Sequence, residues 1–202
     1  MSEEARKSPR TLAALLSHLA RIGDPTSPHH GLTAGQWTAL RYFANANQIS
    51  RTVSAFAIYS ATTRGPASKT VKTLVSAGLL TRNLSDRDGR SRRLDVTSEG
   101  YALLEYDPAR CLIDAIAELS SDTQHELEHA TDRLIATPRL GGRTRFGTCA
   151  CCAYRSRPAD VATLDGTPQC TLYGGLITRR DRDRICVAFV PRTADAGPAP
   201  ES

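Results

Sequence analysis

The chain has 202 residues, 40% of them apolar, and a formal net charge of +5. This length fits one domain of ordinary size plus a small module, and this apolar content excludes a wholly disordered chain. No apolar run approaches the ~18 residues that a membrane span needs, and the N-terminus lacks the apolar stretch of a secretory signal. We therefore expect a cytoplasmic globular protein whose thiols stay reduced.

The charges are divided unevenly along the chain. Residues 51–93 hold nine basic and two acidic side chains, whereas residues 97–136 hold nine acidic and two basic ones. A mixed, solvated surface is one interpretation. The other is one face for nucleic acid and a second face turned away from it, which the motifs below favour.

Three helices are predicted before residue 61. Residues 10–22 form an amphipathic helix whose apolar stripe would be exposed on a single chain. Thr33 and Gln36 make a capping box for a second helix that runs to about Asn47. A shorter helix follows from about Thr52 to Ser60. The expected apolar stripes are Leu12, Leu15, Leu16, Leu19 and Ile22, then Trp37, Leu40 and Ala44, then Val53, Phe56 and Ala57.

The next helix has one basic, polar face. Pro66 suits the first helical position, because the backbone N–H that proline lacks would have no partner there. Gly78 suits the residue after the helix, because glycine adopts the left-handed backbone conformation easily. Ala67, Val71, Leu74 and Val75 share the apolar face. The polar side carries the candidate DNA contacts of this helix: Ser68, Lys69, Thr70, Lys72 and Thr73.

A basic hairpin follows this helix. Residues 79–84 and 92–96 read as two short strands, and Asp88-Gly89 favours a turn between them. A polar helix followed by a basic hairpin indicates a winged helix-turn-helix, in which the helix enters the major groove and the hairpin, or wing, reaches phosphates or the minor groove. The wing candidates for DNA contact are Arg87, Asp88, Arg90 and Arg92, with Asp88 orienting an arginine.

This region resembles the MarR family of bacterial transcription regulators. The resemblance lies in the G-L-L-x-R exit from Gly78, the D-x-R pattern at Asp88 and the L-x-L-T-x-x-G ending from Leu94 to Gly100. It covers about residues 10–137 and departs at Gly89, where the family usually has arginine. It implies a mainly α fold with a small β wing, N- and C-terminal dimerisation helices, and a non-enzymatic homodimer on a pseudo-palindromic DNA operator. The effector stays open.

Two helical regions follow the wing. Thr97 is expected to cap a long helix that Asp107-Pro108 kinks or restarts, and Ser121 with Gln124 to cap a last helix running to about Thr137. Cys111 is expected to be a packed thiol. The apolar stripes are Leu112, Ile113, Ile116 and Leu119, then Leu127, Ala130 and Leu134.

The last helix contains an H-E-x-x-H match from His125 to His129, a pattern that can bind zinc. A zinc enzyme needs a third protein ligand, and no histidine follows His129. We therefore favour a protein without enzymatic activity.

The C-terminal region is rich in cysteine. We expect residues 1–137 to form the DNA-binding and dimerisation domain, 138–145 a linker, 146–190 a Cys-rich module and 191–202 a disordered tail. The module has few large apolar residues, so a metal is a reasonable staple. The expected ligands are the C-x-x-C pair Cys149 and Cys152, followed by Cys170 and Cys186.

Redox switching, favoured by Cys151 beside Cys152, and inert thiols are the alternatives to this metal site. Dispersed ligands favour an iron–sulfur cluster slightly over zinc, because zinc ribbons usually supply two close pairs.

Two functional hypotheses result. The first is a homodimeric transcription regulator whose Cys-rich module senses redox or metal state. The second is a metal- or redox-handling protein whose winged helix docks a protein partner instead of DNA.

Overall fold

The computed structural model describes residues 7–23, 30–84, 92–137, 146–156 and 167–192. Its described elements are mainly helical, with two small antiparallel sheets of two strands each, which agrees with the expected mainly α fold and β wing. None of the described helices combines the length and apolar character that crossing a bilayer requires. The elements are α1 Pro9–Ile22, α2 Ala34–Asn45, α3 Val53–Tyr59, α4 Arg64–Ser76, β1 Leu80–Leu84, β2 Arg92–Val96, α5 Ser98–Leu104, α6 Arg110–Ala117, α7 Ser121–Ile135, β3 Gln169–Cys170, β4 Gly175–Leu176 and α8 Arg179–Arg182.

The core lies among α2, α3, α4 and the base of the wing. Trp37 and Leu40 are fully buried as predicted, while Ala44 is only half-buried. Tyr42 and Phe43 are also fully buried, which the single predicted stripe of α2 missed. The reason is that α2 is covered on more than one side, because apolar residues of the C-terminal segment also pack against this core, namely Ile185 and Val187.

Helix α4 begins two residues earlier than predicted. Thr63 is its N-cap, so Pro66 is the third helical residue. The N–H groups of the first turn have no partner within a helix, so a proline at this position costs no hydrogen bond. The predicted end is confirmed, since Gly78 has a φ of +74°. Its N–H donates to the Val75 carbonyl at 3.0 Å, and that of Leu79 to the Leu74 carbonyl at 2.9 Å. This pair of bonds is a Schellman motif.

The chain leaving the wing passes very close to the chain entering it. Thr97 caps α5 by accepting the Gly100 N–H at 3.1 Å, and its hydroxyl donates to the Gly78 carbonyl at 2.7 Å. A Cβ on Gly100 would lie 2.4 Å from the Leu79 carbonyl oxygen. The last glycine of the L-x-L-T-x-x-G ending is therefore required by this contact.

The helices after the wing differ from the prediction at three residues. Of the two predicted alternatives at Asp107-Pro108, the helix restarts rather than kinks, but Ala109 and not Asp107 is the N-cap of α6; the Asp107 Oδ1 accepts the Ala109 N–H at 2.8 Å. Ser120, not Ser121, caps α7 by accepting the Thr123 N–H at 3.3 Å. The expected burial of Cys111 is wrong within one protomer, where this residue is exposed. The apolar stripe of α6, which contains Ile113 and Ile116, is exposed as well.

Exposed apolar stripes characterise α1, α6 and α7. On α1, the five predicted apolar residues are 42–50% exposed. On α7, Leu134 and Ala130 are exposed and Leu127 is half-buried, so the predicted burial of this helix does not occur within one protomer. Arg41 connects α2 to the end of α1 and to the segment before α6: its Nε lies 3.0 Å from the Asp107 carboxylate, and its Nη2 donates to the Gly23 carbonyl at 3.3 Å. These apolar stripes therefore have no cover from the described part of their own chain.

Candidate DNA interface and cysteine cluster

Helix α4 is locked into the core on one side and free on the other. Lys69, Lys72 and Thr73 are exposed, while Ser68 and Thr70 are half-buried. The Thr70 and Thr73 hydroxyls donate to carbonyls one turn earlier, at 3.2 and 3.1 Å. Both hydroxyl oxygens keep lone pairs that accept hydrogen bonds. The outer face thus presents two ammonium groups and several hydroxyls on a rigid helix, which suits a DNA groove.

An ionic network holds the base of the wing. The Asp95 carboxylate accepts bonds from Arg51 Nη1 at 2.6 Å, from Arg93 Nε at 2.9 Å and from Asn83 Nδ2 at 2.8 Å. Burial by itself would raise the pKa of Asp95, but the hydrogen bonds from Asn83, Arg51 and Arg93 outweigh it and hold this pKa below its usual value. The carboxylate is therefore charged at neutral pH and ties both wing strands to the turn before α3.

The same turn is also bonded to the wing through the backbone. The Leu94 N–H of β2 donates to the Arg51 carbonyl at 2.8 Å, and β1 pairs with β2 from Leu80↔Val96 to Leu84↔Arg92. Of the predicted wing contacts, Arg92 lies on β2. The other three lie outside the described residues: Arg87, Asp88 and Arg90. DNA contact by all four remains a prediction.

Four cysteines are gathered in the C-terminal region, and each is 6–7% exposed. Backbone pairing brings their segments together. Gly147 and Cys186 exchange N–H···O bonds of 3.2 and 2.8 Å, and isolated bridges join Arg155 to Cys170 and Cys152 to Pro191. Cys149 and Cys170 pack in one apolar cluster. The fold thus places the chain segments of the four predicted metal ligands side by side: Cys149, Cys152, Cys170 and Cys186.

Two of these sulfur atoms accept hydrogen bonds. Asn47 Nδ2 donates to Cys149 Sγ at 3.7 Å, and the backbone N–H groups of Tyr173 and Leu172 donate to Cys170. Burial raises the pKa of Cys149 to about 11; Cys186 raises it as well, Asn47 opposes the shift, and the other two cysteines add to it. Burial also raises the pKa of Cys170. The thiols are therefore close enough to disfavour each other's ionisation.

This cluster is not a preformed metal cage. Among the described residues, no group of three or more His, Cys, Asp or Glu side chains has the arrangement of a metal site. All six cysteines are free thiols, and Cys151 and Cys111 are exposed.

One buried group beside the cluster lacks a partner. Within the described ranges, Arg155 Nε is a buried side-chain nitrogen without a hydrogen bond, although Arg155 Nη1 donates to the Ala150 carbonyl at 3.2 Å. The backbone of this residue pairs with Cys170, so the cationic group belongs to the cysteine region. An unpaired guanidinium N–H there favours an anionic neighbour.

The His125–His129 pair lies on the exposed face of α7. The two rings meet edge to face with centroids 4.7 Å apart, and His125 Nδ1 lies 3.7 Å from the Glu128 carboxylate. No third described side chain joins them in a metal-binding group.

The Cys-rich segment packs directly on the winged helix. Ile185 pairs in parallel with Ala46: its carbonyl accepts the Asn47 N–H at 2.9 Å, and its N–H donates to the Asn45 carbonyl at 2.9 Å. The Val187 N–H donates to Ser50 Oγ at 3.2 Å. Pairing extends into the first residues of the predicted tail, where the Arg192 N–H donates to the Cys151 carbonyl at 3.0 Å. Residues 138–145 and 193–202 lie outside the described ranges.

Sequence reasoning missed the residues at this junction. Asn47 and Ser50 are 1% exposed. In the sequence, Arg51 stood out only as one of the basic residues, and Asp95 only as a position within the Leu94–Gly100 ending. Asn47 Oδ1 accepts the Ser50 N–H at 2.9 Å, a local turn that many asparagines make. Nothing in the local pattern indicated that its amide would also contact a cysteine 102 positions away.

Comparisons with known proteins agree with this fold. Residues 30–91 match the sequence model of the MarR family. The structure of S. aureus MepR bound to DNA is similar at 18% identity and a TM-score of 0.50, over 64% of this chain and 95% of that chain. Sco3205, a MarR family transcriptional regulator from Streptomyces coelicolor in complex with DNA, is similar at 20% identity and a TM-score of 0.48, over 67% and 92% of the two chains.

A comparison with curated protein sequences finds no match. The sequence match covers α2 to the wing, and the likeness to MepR supports the fold of that part. The Cys-rich segment lies beyond the matched residues. Residues 30–91 are therefore similar to the MarR family model, and this part of the chain has a winged helix fold like that of MepR.

Proposed function

We propose that the protein is a sequence-specific, DNA-binding transcription regulator that acts as a homodimer. The observation that carries this proposal is the pairing of an exposed basic face on α4 with a wing clamped at its base by Asp95. A rigid helix and a braced hairpin present their cationic groups without a large ordering cost on binding. The S. aureus MepR–DNA complex, which has a similar fold, supports the same use.

The exposed apolar stripes of α1, α6 and α7 support the homodimer. Contiguous apolar surface on a water-exposed helix usually marks an interaction site. These helices also belong to the acidic part of the chain or precede the basic part, so a dimer formed through them leaves α4 and the wing accessible. A two-fold dimer would place two α4 helices in major grooves about one helical turn apart, at about 34 Å.

Charge removal from the DNA face should weaken binding in a salt-dependent way. We expect Lys72→Ala and Arg90→Ala each to lower affinity for the operator and to reduce the slope of log affinity against log salt by ~0.9 for each lost phosphate contact. Fluorescence anisotropy on the upstream DNA of the protein's own gene, at several salt concentrations, measures both quantities.

Arg110→Ala is the matched control. Arg110 is exposed on α6 and pairs with Asp114 at 3.1 Å within the acidic part of the chain. We expect its loss to leave the salt slope unchanged. Unaltered affinity and slope in both test variants would remove Lys72 and Arg90 from the interface.

We propose further that Cys149, Cys152, Cys170 and Cys186 bind a metal centre, an iron–sulfur cluster or zinc. Their burial, the paired backbone segments and the N–H···S bonds support it. Four thiolates in a buried site are unfavourable without a cation, so a metal and the ionised thiols would assemble together. The unpaired Arg155 Nε–H is a donor suited to the resulting negative charge. The centre would sense metal supply or redox state.

Loss of one cysteine should abolish metal binding. We expect Cys152→Ser to lose stoichiometric metal, because it removes one of four ligands, while Cys111→Ser on exposed α6 retains it. Elemental analysis of protein purified without oxygen gives the stoichiometry, and its absorption spectrum gives the type of centre. Absorption bands at about 400 nm would indicate an iron–sulfur cluster. A colourless protein that contains stoichiometric zinc would indicate a zinc site.

The same preparation distinguishes metal binding from disulfide switching. A wild-type protein purified without metal would overturn the metal proposal. If that metal-free protein then lost two or more titratable thiols reversibly on mild oxidation, disulfide switching would replace metal binding as the proposal.

A further inference from the structure

We infer that the cysteine cluster regulates DNA binding through the turn of residues 45–51, which joins α2 to α3 and contacts both the cluster and the wing. This inference rests on the proposed function, because it requires a cluster that changes state and a wing that contacts DNA. It adds the physical route between them.

The first side of the turn contacts the cysteine region. Asn47 Nδ2 donates to Cys149 Sγ, and Ile185, next to Cys186, bonds to the turn through both its N–H and its carbonyl. Val187, on the other side of Cys186, donates its N–H to Ser50 Oγ at 3.2 Å. The turn therefore contacts one cluster sulfur directly and both chain neighbours of another cysteine.

The interior of the turn is closely packed. Asn47 and Ser50 are 1% exposed, and the two are joined by the Ser50 N–H to Asn47 Oδ1 bond of 2.9 Å. The Ser50 carbonyl accepts the hydroxyl of the buried Tyr42 at 2.6 Å. Buried polar groups that lose a partner are costly, and closely packed interiors pass displacements on to their neighbours. A shift of Asn47 therefore moves Ser50 and the residue after it.

The second side of the turn holds the wing. Arg51 follows Ser50 directly and makes two contacts with β2: its carbonyl accepts the Leu94 N–H at 2.8 Å, and its Nη1 lies 2.6 Å from Asp95 Oδ1. Asp95 in turn bonds Arg93 on β2 and Asn83 on β1. The turn that contacts the cysteine cluster therefore also holds the base of the wing.

Metal binding should act on the first side of this route. Cys149 Sγ is one of the proposed metal ligands and accepts the hydrogen bond of Asn47, so metal binding would change the surroundings of the Asn47 amide directly. Metal-loaded and metal-free protein should then hold the wing differently, and their operator affinities should differ by roughly 5- to 150-fold, the usual range for such coupling. The route therefore reaches the DNA-contacting surface at the wing rather than at α4.

The test compares operator affinity of metal-loaded and metal-stripped full-length protein at fixed salt, for the wild type and two variants. Asn47→Ala removes the contact with Cys149 at the cluster end. Asp95→Ala removes the clamp at the wing end, far from the cysteines. In both we expect stoichiometric metal to be retained and the affinity ratio between loaded and stripped protein to fall to about 1.

Asn45→Ala is the matched control. Asn45 is exposed, its side chain donates only to the Arg41 carbonyl at 3.0 Å in the described structure, and its backbone bond to Ile185 survives the substitution. This variant should keep the wild-type ratio. Hydrogen exchange supplies a second readout: metal loading should change the protection of the Leu94 amide in the wild type and not in Asn47→Ala.

Each failure has its own signature. A wild type that binds no metal or no operator refutes the proposed function, and the inference with it. A wild type that binds both with a ratio of 1 refutes the coupling and leaves the metal as a staple. A wild-type ratio retained in Asn47→Ala and Asp95→Ala, with metal bound, refutes this route and leaves the proposed function intact.

Discussion

Replacing Leu15 and Leu19 with aspartate should convert the dimer into monomers that no longer bind a palindromic operator. The two side chains are 42% and 44% exposed on a single protomer and lie on one face of α1. Covering a leucine contributes about 1.5–3 kcal/mol, and a carboxylate placed in such a contact adds a desolvation cost. Deletion of residues 1–22 should have the same result. Sedimentation velocity and operator titration measure the two outcomes.

Ser17→Asp is the control for this change. Ser17 is exposed on the opposite side of α1 by helical spacing, so its carboxylate should stay in water and the dimer should persist. A soluble, operator-binding dimer in the Leu15/Leu19 variant would show that α1 is not part of the interface.

Gly100→Ala should destabilise the winged helix strongly. The added Cβ would lie 2.4 Å from the Leu79 carbonyl oxygen and 2.7 Å from Val96 Cγ1, so the backbone at the exit of α4 would have to move. Forcing one extra carbon into a packed site costs about 1–3 kcal/mol, and displacement of backbone places this site at the upper end. At ~2–4 °C per kcal/mol, we expect the unfolding midpoint to fall by about 5–10 °C.

Gly35→Ala is the matched comparison. Gly35 lies in α2 with no heavy atom within 4 Å of the added Cβ, and alanine favours a helix over glycine by up to about 1 kcal/mol. Its unfolding midpoint, followed by circular dichroism, should stay the same or rise. Equal midpoints for Gly100→Ala and wild type would mean that the contact relaxes without cost.

Local features of the winged helix were predictable from the residues alone. The Thr33–Gln36 capping box, the left-handed Gly78 and the Thr97 cap each depend on atoms within a few positions along the chain. The apolar face of α4 was predictable as well, because helical spacing alone places Val71 and Leu74 together. These signals were enough to predict the winged helix fold.

Burial on the outer helices was not predictable in the same way. An apolar stripe shows that a face needs cover, but not whether the same chain supplies it. Cys111 and Leu134 were expected to be packed and are exposed on the protomer, because no described element of this chain lies over them. The capping error at α7 has a different cause: Ser120 and Ser121 are chemically equivalent, and only the path of the chain selects between them.

The sequence by itself determined the helices, the wing, the basic face of α4 and the presence of four cysteines with metal-binding potential, because propensity, periodicity and capping act over short distances. Only the tertiary structure decided where the cysteines lie. Their packing against residues 45–51 depends on contacts between residues more than 100 positions apart, such as Asn47 and Cys149. Such contacts form where surfaces fit together, and no local pattern encodes that fit. The same packing places the contact of Cys149 at Asn47, four residues before Arg51, which holds the wing.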